Sequence, residues 1–174
     1  MKEVKNMTDL RSTRRRVLKR AGILGATAAF LSPTTALAKQ NDAAQGPEGS
    51  WIGPVTITSG PAFPLFQALY TYAAGGGLVE TDQISFNPQS PDSPRHGVWV
   101  STREDAFAST YINFTFDSQG KPTGTIKIRE TAVLSERGNA YTGSGKFDVL
   151  DLNGNVIASG TFTSQATRIR VEPV

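Results

Sequence analysis

From residue 49 to the C-terminus, apolar and polar side chains alternate with a period of two, and glycine, asparagine and proline interrupt the alternation at intervals. Such alternation belongs to strands with one buried face, and no segment keeps the 3.6-residue period of an amphipathic helix. The pattern predicts eight strands, over residues 51–59, 64–74, 77–86, 97–102, 106–117, 123–136, 140–151 and 155–171. Residues 125–134 separate most cleanly. Ile126, Ile128, Glu130, Ala132 and Leu134 fall on one face, and Thr125, Lys127, Arg129 and Thr131 on the other. The second strand gathers Phe66, Ala68, Tyr70 and Tyr72 on one side, a stripe that reads as core.

The breaks carry turn chemistry. Asp117-Ser118-Gln119-Gly120, Glu136-Arg137-Gly138-Asn139 and Leu152-Asn153-Gly154-Asn155 each supply glycine or asparagine where a hairpin needs positive φ, as does Ala74-Gly75-Gly76-Gly77. Residues 87–95, with Pro88, Pro91 and Pro94, are too long for a tight turn and predict an ordered loop over a barrel mouth. Eight sequential strands with short connections predict an all-β fold, an eight-stranded antiparallel up-and-down β-barrel, with a two-sheet β-sandwich as the alternative. The barrel would be a single domain over residues 49–174, preceded by a flexible polar leader at 39–48. An eight-stranded barrel has room inside for its own side chains or for one small ligand.

Residues 1–38 follow a different logic. A basic stretch with Arg11, Arg14, Arg15, Arg16, Lys19 and Arg20 precedes an apolar, small-residue run at 21–31, then Pro33 and Ala36-Leu37-Ala38. That order is the order of a secretory signal and its cleavage site. Thr13-Arg14-Arg15-Arg16-Val17-Leu18-Lys19 resembles the twin-arginine (Tat) consensus, with Val17 where phenylalanine is commonest. The resemblance implies export of an already folded chain by the Tat translocase, cleavage by signal peptidase after Ala38, and a periplasmic or secreted product. The apolar run is about 11 residues, against the roughly 20 of a spanning helix. No cysteine follows it for lipidation. No stable membrane anchor is therefore expected after cleavage.

Removing the signal changes the charge. The whole chain carries +3, but residues 1–38 hold eight of its 18 basic and two of its 15 acidic residues, leaving 10 against 13 and a net charge of about −3. A nucleic-acid partner loses its electrostatic basis. The chain has no cysteine and one histidine, so neither disulfides nor a transition-metal site is expected, and no cofactor is implied.

Candidate chemistry is sparse. Alternation points Glu130 inward among aliphatic side chains, where a carboxylate must be paired, hydrogen-bonded or neutral. It is a candidate proton donor or acceptor, or else the partner of an internal arginine or tyrosine. His96, at the end of the proline-rich loop, is the other catalytic candidate, as a lone general base. Leu78, Glu80 and Asp82 share a face, and two acids together suggest a mostly solvated one. Tyr70, Tyr72, Trp99, Tyr111 and Glu130 are the candidate ligand-binding residues of the interior. Gly143-Ser144-Gly145 lies in a strand and not on a nucleophile elbow. Asp151-Leu152-Asn153-Gly154-Asn155 lacks the spacing of a calcium loop.

Gly49-Ser50-Trp51, at the head of the first strand, resembles the Gly-x-Trp of lipocalins and their calycin relatives. The resemblance implies a structural role for Trp51, covered by an arginine of the last strand, Arg168 or Arg170. The overall architecture also resembles the allene oxide cyclase-like barrels, without a residue motif in common. Three expectations follow: a barrel binding a small apolar molecule inside, a cavity-type cyclase or isomerase, or a filled barrel with a structural or interaction role in the envelope.

Overall fold

The computed structural model describes residues 46–135 and 137–174. The expected signal at 1–38 and residues 39–45 of the leader lie outside the described residues. Eight strands follow one another: β1 (Gly49–Ser59), β2 (Phe66–Tyr72), β3 (Gly77–Asp82), β4 (Arg95–Arg103), β5 (Ala106–Phe116), β6 (Pro122–Leu134), β7 (Ala140–Asp151) and β8 (Val156–Arg168). Each pairs antiparallel with the next, and β1 pairs with β8, so the sheet closes into an up-and-down barrel. Closure sets the sandwich alternative aside. It also leaves no unpaired strand edge.

Most strand boundaries fall within three residues of expectation, and two differences bear on the site. The third strand stops at Asp82 and gives way to a 3-10 turn, Gln83–Phe86, because the Asp82 carboxylate captures the Ser85 N–H at 2.8 Å and its hydroxyl at 2.9 Å. The fourth strand starts two residues early, at Arg95. The hairpin glycines behave as turn chemistry requires: Gly120 and Gly154 take φ of 77° and 83°, a region closed to most side chains.

The two ends of the barrel are unlike. At the end where β1 begins, the interior is packed with rings: Trp51, Tyr72, Tyr141 and Phe107 meet edge to face, with Trp51 and Tyr141 centroids 5.2 Å apart. Trp51 and Arg168 are direct cross-strand partners. The guanidinium lies over the indole at 4.2 Å from its centroid, and it donates to the carbonyls of Gly138, Gly46 and Glu48. The Trp51 Nε1–H donates to Pro47 O at 2.8 Å. Residues 46–48, read from sequence as leader, are thus fastened across this end. Gly49 has φ of 120°, and a Cβ there would sit 2.8 Å from an Arg168 nitrogen, so the glycine makes room for the arginine. Arg170 instead donates to Asn139 Oδ1 at 2.7 Å.

Arg168→Ala is expected to destabilise the barrel by about 2 kcal/mol, through the lost cation–π contact and uncovered carbonyls. Arg168→Lys should recover less than half, because an ammonium cannot fork to three carbonyls while lying flat on an indole. Urea unfolding followed by tryptophan fluorescence reads both, and equal stability of all three proteins would refute the role.

Candidate functional site

At the opposite end, inward residues of all eight strands border a cavity of about 70 Å³, whose apolar wall is formed by Val55, Ile57, Phe66, Ile126, Ile128, Phe147 and Phe162, together with Phe63 and Ile84 from outside the strands. β4 contributes Arg95, which together with Glu80 and Asp82 forms the polar part of the wall; Tyr70 and Tyr111 also border the space.

The charged part follows from strand register. Glu80 on β3 lies directly opposite Arg95 on β4. Arg95 Nη1 donates to Glu80 Oε2 at 2.7 Å and to Asp82 Oδ2 at 2.5 Å, and Nη2 donates to Asp92 Oδ2 at 3.0 Å. Asp92 reaches Arg95 because its loop is tied to β5, with Ser93 N–H on Phe114 O and Phe116 N–H on Pro91 O. Burial alone would lower the Arg95 pKa, but the three carboxylates reverse the sign and hold the guanidinium charged. Burial pushes Glu80 up to about 7 against the pull of Arg95, and raises Asp92 as well. Three carboxylates around one guanidinium leave a surplus of negative charge in a nearly dry place.

The solvated face expected for Leu78, Glu80 and Asp82 is corrected: all three are buried, and the intervening Val79 points to solvent. An arginine from the next strand supplies the counter-charge that makes burial tolerable. Two inward acids on β3 were the available signal. Alternation alone does not show the matching cation, because Arg95 closes the proline-rich stretch 87–95 and the strand pattern is clear only from residue 97.

Glu130 sits deeper, on the inner face of β6 and only 3% exposed. Tyr111 donates its hydroxyl to Oε2 at 3.2 Å, and Ser164 donates to Oε1. Burial pushes Glu130 up to about 7, while those two hydrogen bonds pull it back. No cation contacts it among the described residues. Gly143 accounts for the room it has, since a Cβ at that position would collide with both Glu130 Oε1 and Ser164 Oγ.

The remaining candidates separate. Tyr70 and Tyr111 border the cavity, and Glu130 lies one hydrogen bond behind Tyr111. Tyr72 and Trp99 belong to the ring cluster of the closed end, with centroids 6.3 Å apart, and Trp99 Nε1–H is used on Ala73 O. His96 lies away from the cavity and is exposed. Because β4 starts at Arg95, alternation turns Arg95 and Trp99 inward and His96 outward, between Val79 and Ile112 on the outer surface.

Comparison of the chain with protein-family models, curated proteins and solved structures returned no match. The functional reading therefore rests on the cavity and its side chains.

Proposed function

We propose that this chain is exported by its twin-arginine signal and that its barrel binds a small molecule by taking one end of it into the open-end cavity. The observation that carries the reading is the difference between the barrel ends. One is sealed by Trp51, its ring neighbours and Arg168, while the other leaves apolar walls around empty space. The Gly49–Trp51–Arg168 arrangement supports a calycin-type barrel, in which a closed end and an open mouth go together. The cavity is smaller than a full calyx: at roughly 30 Å³ per water, it has room for a few heavy atoms. A ligand would seat a narrow group inside and leave its bulk against Phe63, which borders the cavity and is exposed.

One experiment tests export and binding together. The protein is recovered from the periplasm or medium of a Tat-competent host and analysed by native and denaturing mass spectrometry. The expected result is an N-terminus at Lys39 and a small apolar molecule released on denaturation. Ile57→Trp, which narrows the mouth, is expected to lose that molecule. Recovery of an uncleaved cytoplasmic chain would remove the export reading. Absence of any ligand, with no rise in the unfolding midpoint across an apolar probe set, would favour a filled barrel used for contacts in the envelope.

A second reading rests on Tyr111, which borders the cavity and also donates to Glu130. That geometry supports proton exchange between a bound molecule and a carboxyl titrating near neutrality, as a cyclase or isomerase would need.

A further inference from the structure

Among the described residues the carboxylates around Arg95 leave two acceptors without a hydrogen-bond partner, Asp92 Oδ1 and Glu80 Oε1, and of the two residues only Glu80 borders the cavity. Asp82 is fully engaged: Oδ1 takes the Ser85 N–H and hydroxyl, and Oδ2 takes Arg95. Glu80 is engaged on one side only. Its Oε2 accepts from Arg95, whereas Oε1 has no hydrogen-bond partner among the described residues, although the side chain is 3% exposed. Tyr70 is the direct cross-strand partner of Glu80, is buried, and likewise has no partner for its hydroxyl among the described residues. Both side chains border the cavity. Two cross-strand neighbours on the cavity wall thus each keep an oxygen able to accept a hydrogen bond, beside three carboxylates that share one guanidinium, in a space otherwise walled by aromatic and aliphatic side chains.

We propose that the cavity selects a protonated primary amine carrying an apolar chain. The ammonium donates to Glu80 Oε1 and to the Tyr70 hydroxyl, and the rings of Phe66, Phe162 and Tyr111 surround it. The chain leaves past Phe63 and Ile84. This rests on the reading of the open end as a small-molecule site and narrows it to one ligand class.

Alternatives fit less well. A carboxylate or phosphate head would meet three carboxylates held by a single guanidinium. A neutral alcohol would satisfy one acceptor and leave the surplus charge untouched. A divalent cation of the calcium or magnesium kind needs about six oxygen ligands, and the wall is mainly hydrocarbon and rings. An ammonium is small, carries three donors, and gains from aromatic faces in a desolvated site.

The test compares octylamine, 1-octanol and octanoate, which share a chain and differ in head group, by isothermal titration calorimetry of the full chain at pH 8. Octylamine is expected to bind about tenfold or more tightly than octanol, corresponding to about 1.4 kcal/mol, with octanoate weakest. Glu80→Gln is expected to abolish the preference for amine over alcohol. Tyr70→Phe, which keeps the ring and removes the acceptor, should weaken amine binding several-fold and serves if Glu80→Gln does not fold. Octanol or octanoate binding as tightly as octylamine would overturn the amine proposal while leaving the small-molecule site intact. Failure of all three probes to bind would overturn the site reading itself, and the amine proposal with it.

Discussion

Replacing Arg95 with methionine is expected to destabilise the barrel by about 3–5 kcal/mol at pH 8 and by much less at pH 5. The substitution keeps most of the buried volume but leaves Glu80, Asp82 and Asp92 facing one another without a cation. Removing one member of a buried ion cluster costs more than the cluster contributes, because the remaining charges stay desolvated and unpaired. Lowering the pH offers an escape. Burial already raises Glu80 to about 7 and raises Asp92, and loss of the guanidinium removes the main influence opposing that rise. The variant therefore takes up protons on folding and recovers stability as the pH falls. Urea unfolding at the two pH values reads the effect. An equal loss at both would mean that Arg95 acts by packing and not by charge. Combining the change with Glu80→Gln should relieve part of the loss at pH 8.

The second large effect concerns Glu130. Its folded pKa of about 7 lies above the ordinary 4.5, so between those values the folded state binds more protons than the unfolded one. Stability from this group is fully present below about pH 4.5 and is lost as the pH rises through 7. The displacement corresponds to about 3 kcal/mol. Glu130→Gln holds the side chain neutral, and both Tyr111 and Ser164 can rotate their hydroxyls to serve an amide. The variant is expected to be more stable than the parent at pH 8, by up to about 3 kcal/mol. It should also show a shallower decline between pH 5 and 8. Some slope should remain, because Glu80 titrates in the same direction. Asp148 and Asp151 are held below the ordinary carboxylate range by hydrogen bonds, from Ser159 and from Asn155 respectively. Their stabilisation is lost only as the pH falls further, outside this window. An unchanged pH profile in Glu130→Gln would show that the carboxyl is ionised throughout.

Together the two predictions describe a barrel whose interior polarity is arranged at two depths. Glu130 accepts from two hydroxyls with no cation in contact among the described residues, while Glu80, Asp82 and Asp92 are held by one cation. The shallower group borders the cavity, and the deeper one is reached through Tyr111. A ligand that alters the charge state of the first group therefore lies within two side chains of the second.

The sequence by itself determined which residues face inward along most strands, because alternation is a property of the extended backbone and needs no partner. On β6 the pattern separates Ile126, Ile128 and Glu130 from Thr125, Lys127 and Arg129 within six residues, and Glu130 is buried where the pattern puts it. Strand number and order were also legible, since four of the seven connections carry glycine or asparagine where a hairpin turn needs it. Only the tertiary structure decided how the inward charges are answered. Whether Glu80 and Asp82 are solvated or buried depends on Arg95, which lies across a 12-residue connection and enters the barrel only because β4 starts at that residue. A shift of one position would have turned His96 inward and Arg95 out. Likewise, an aromatic stripe cannot say whether it plugs an end or lines a cavity. Tyr70 and Tyr72 lie on the same strand face, yet one borders the open space and the other fills the closed end. Faces are set locally by the pleat, but pairing, plugging and vacancy are set by register across strands and by which rings converge from all sides of the barrel.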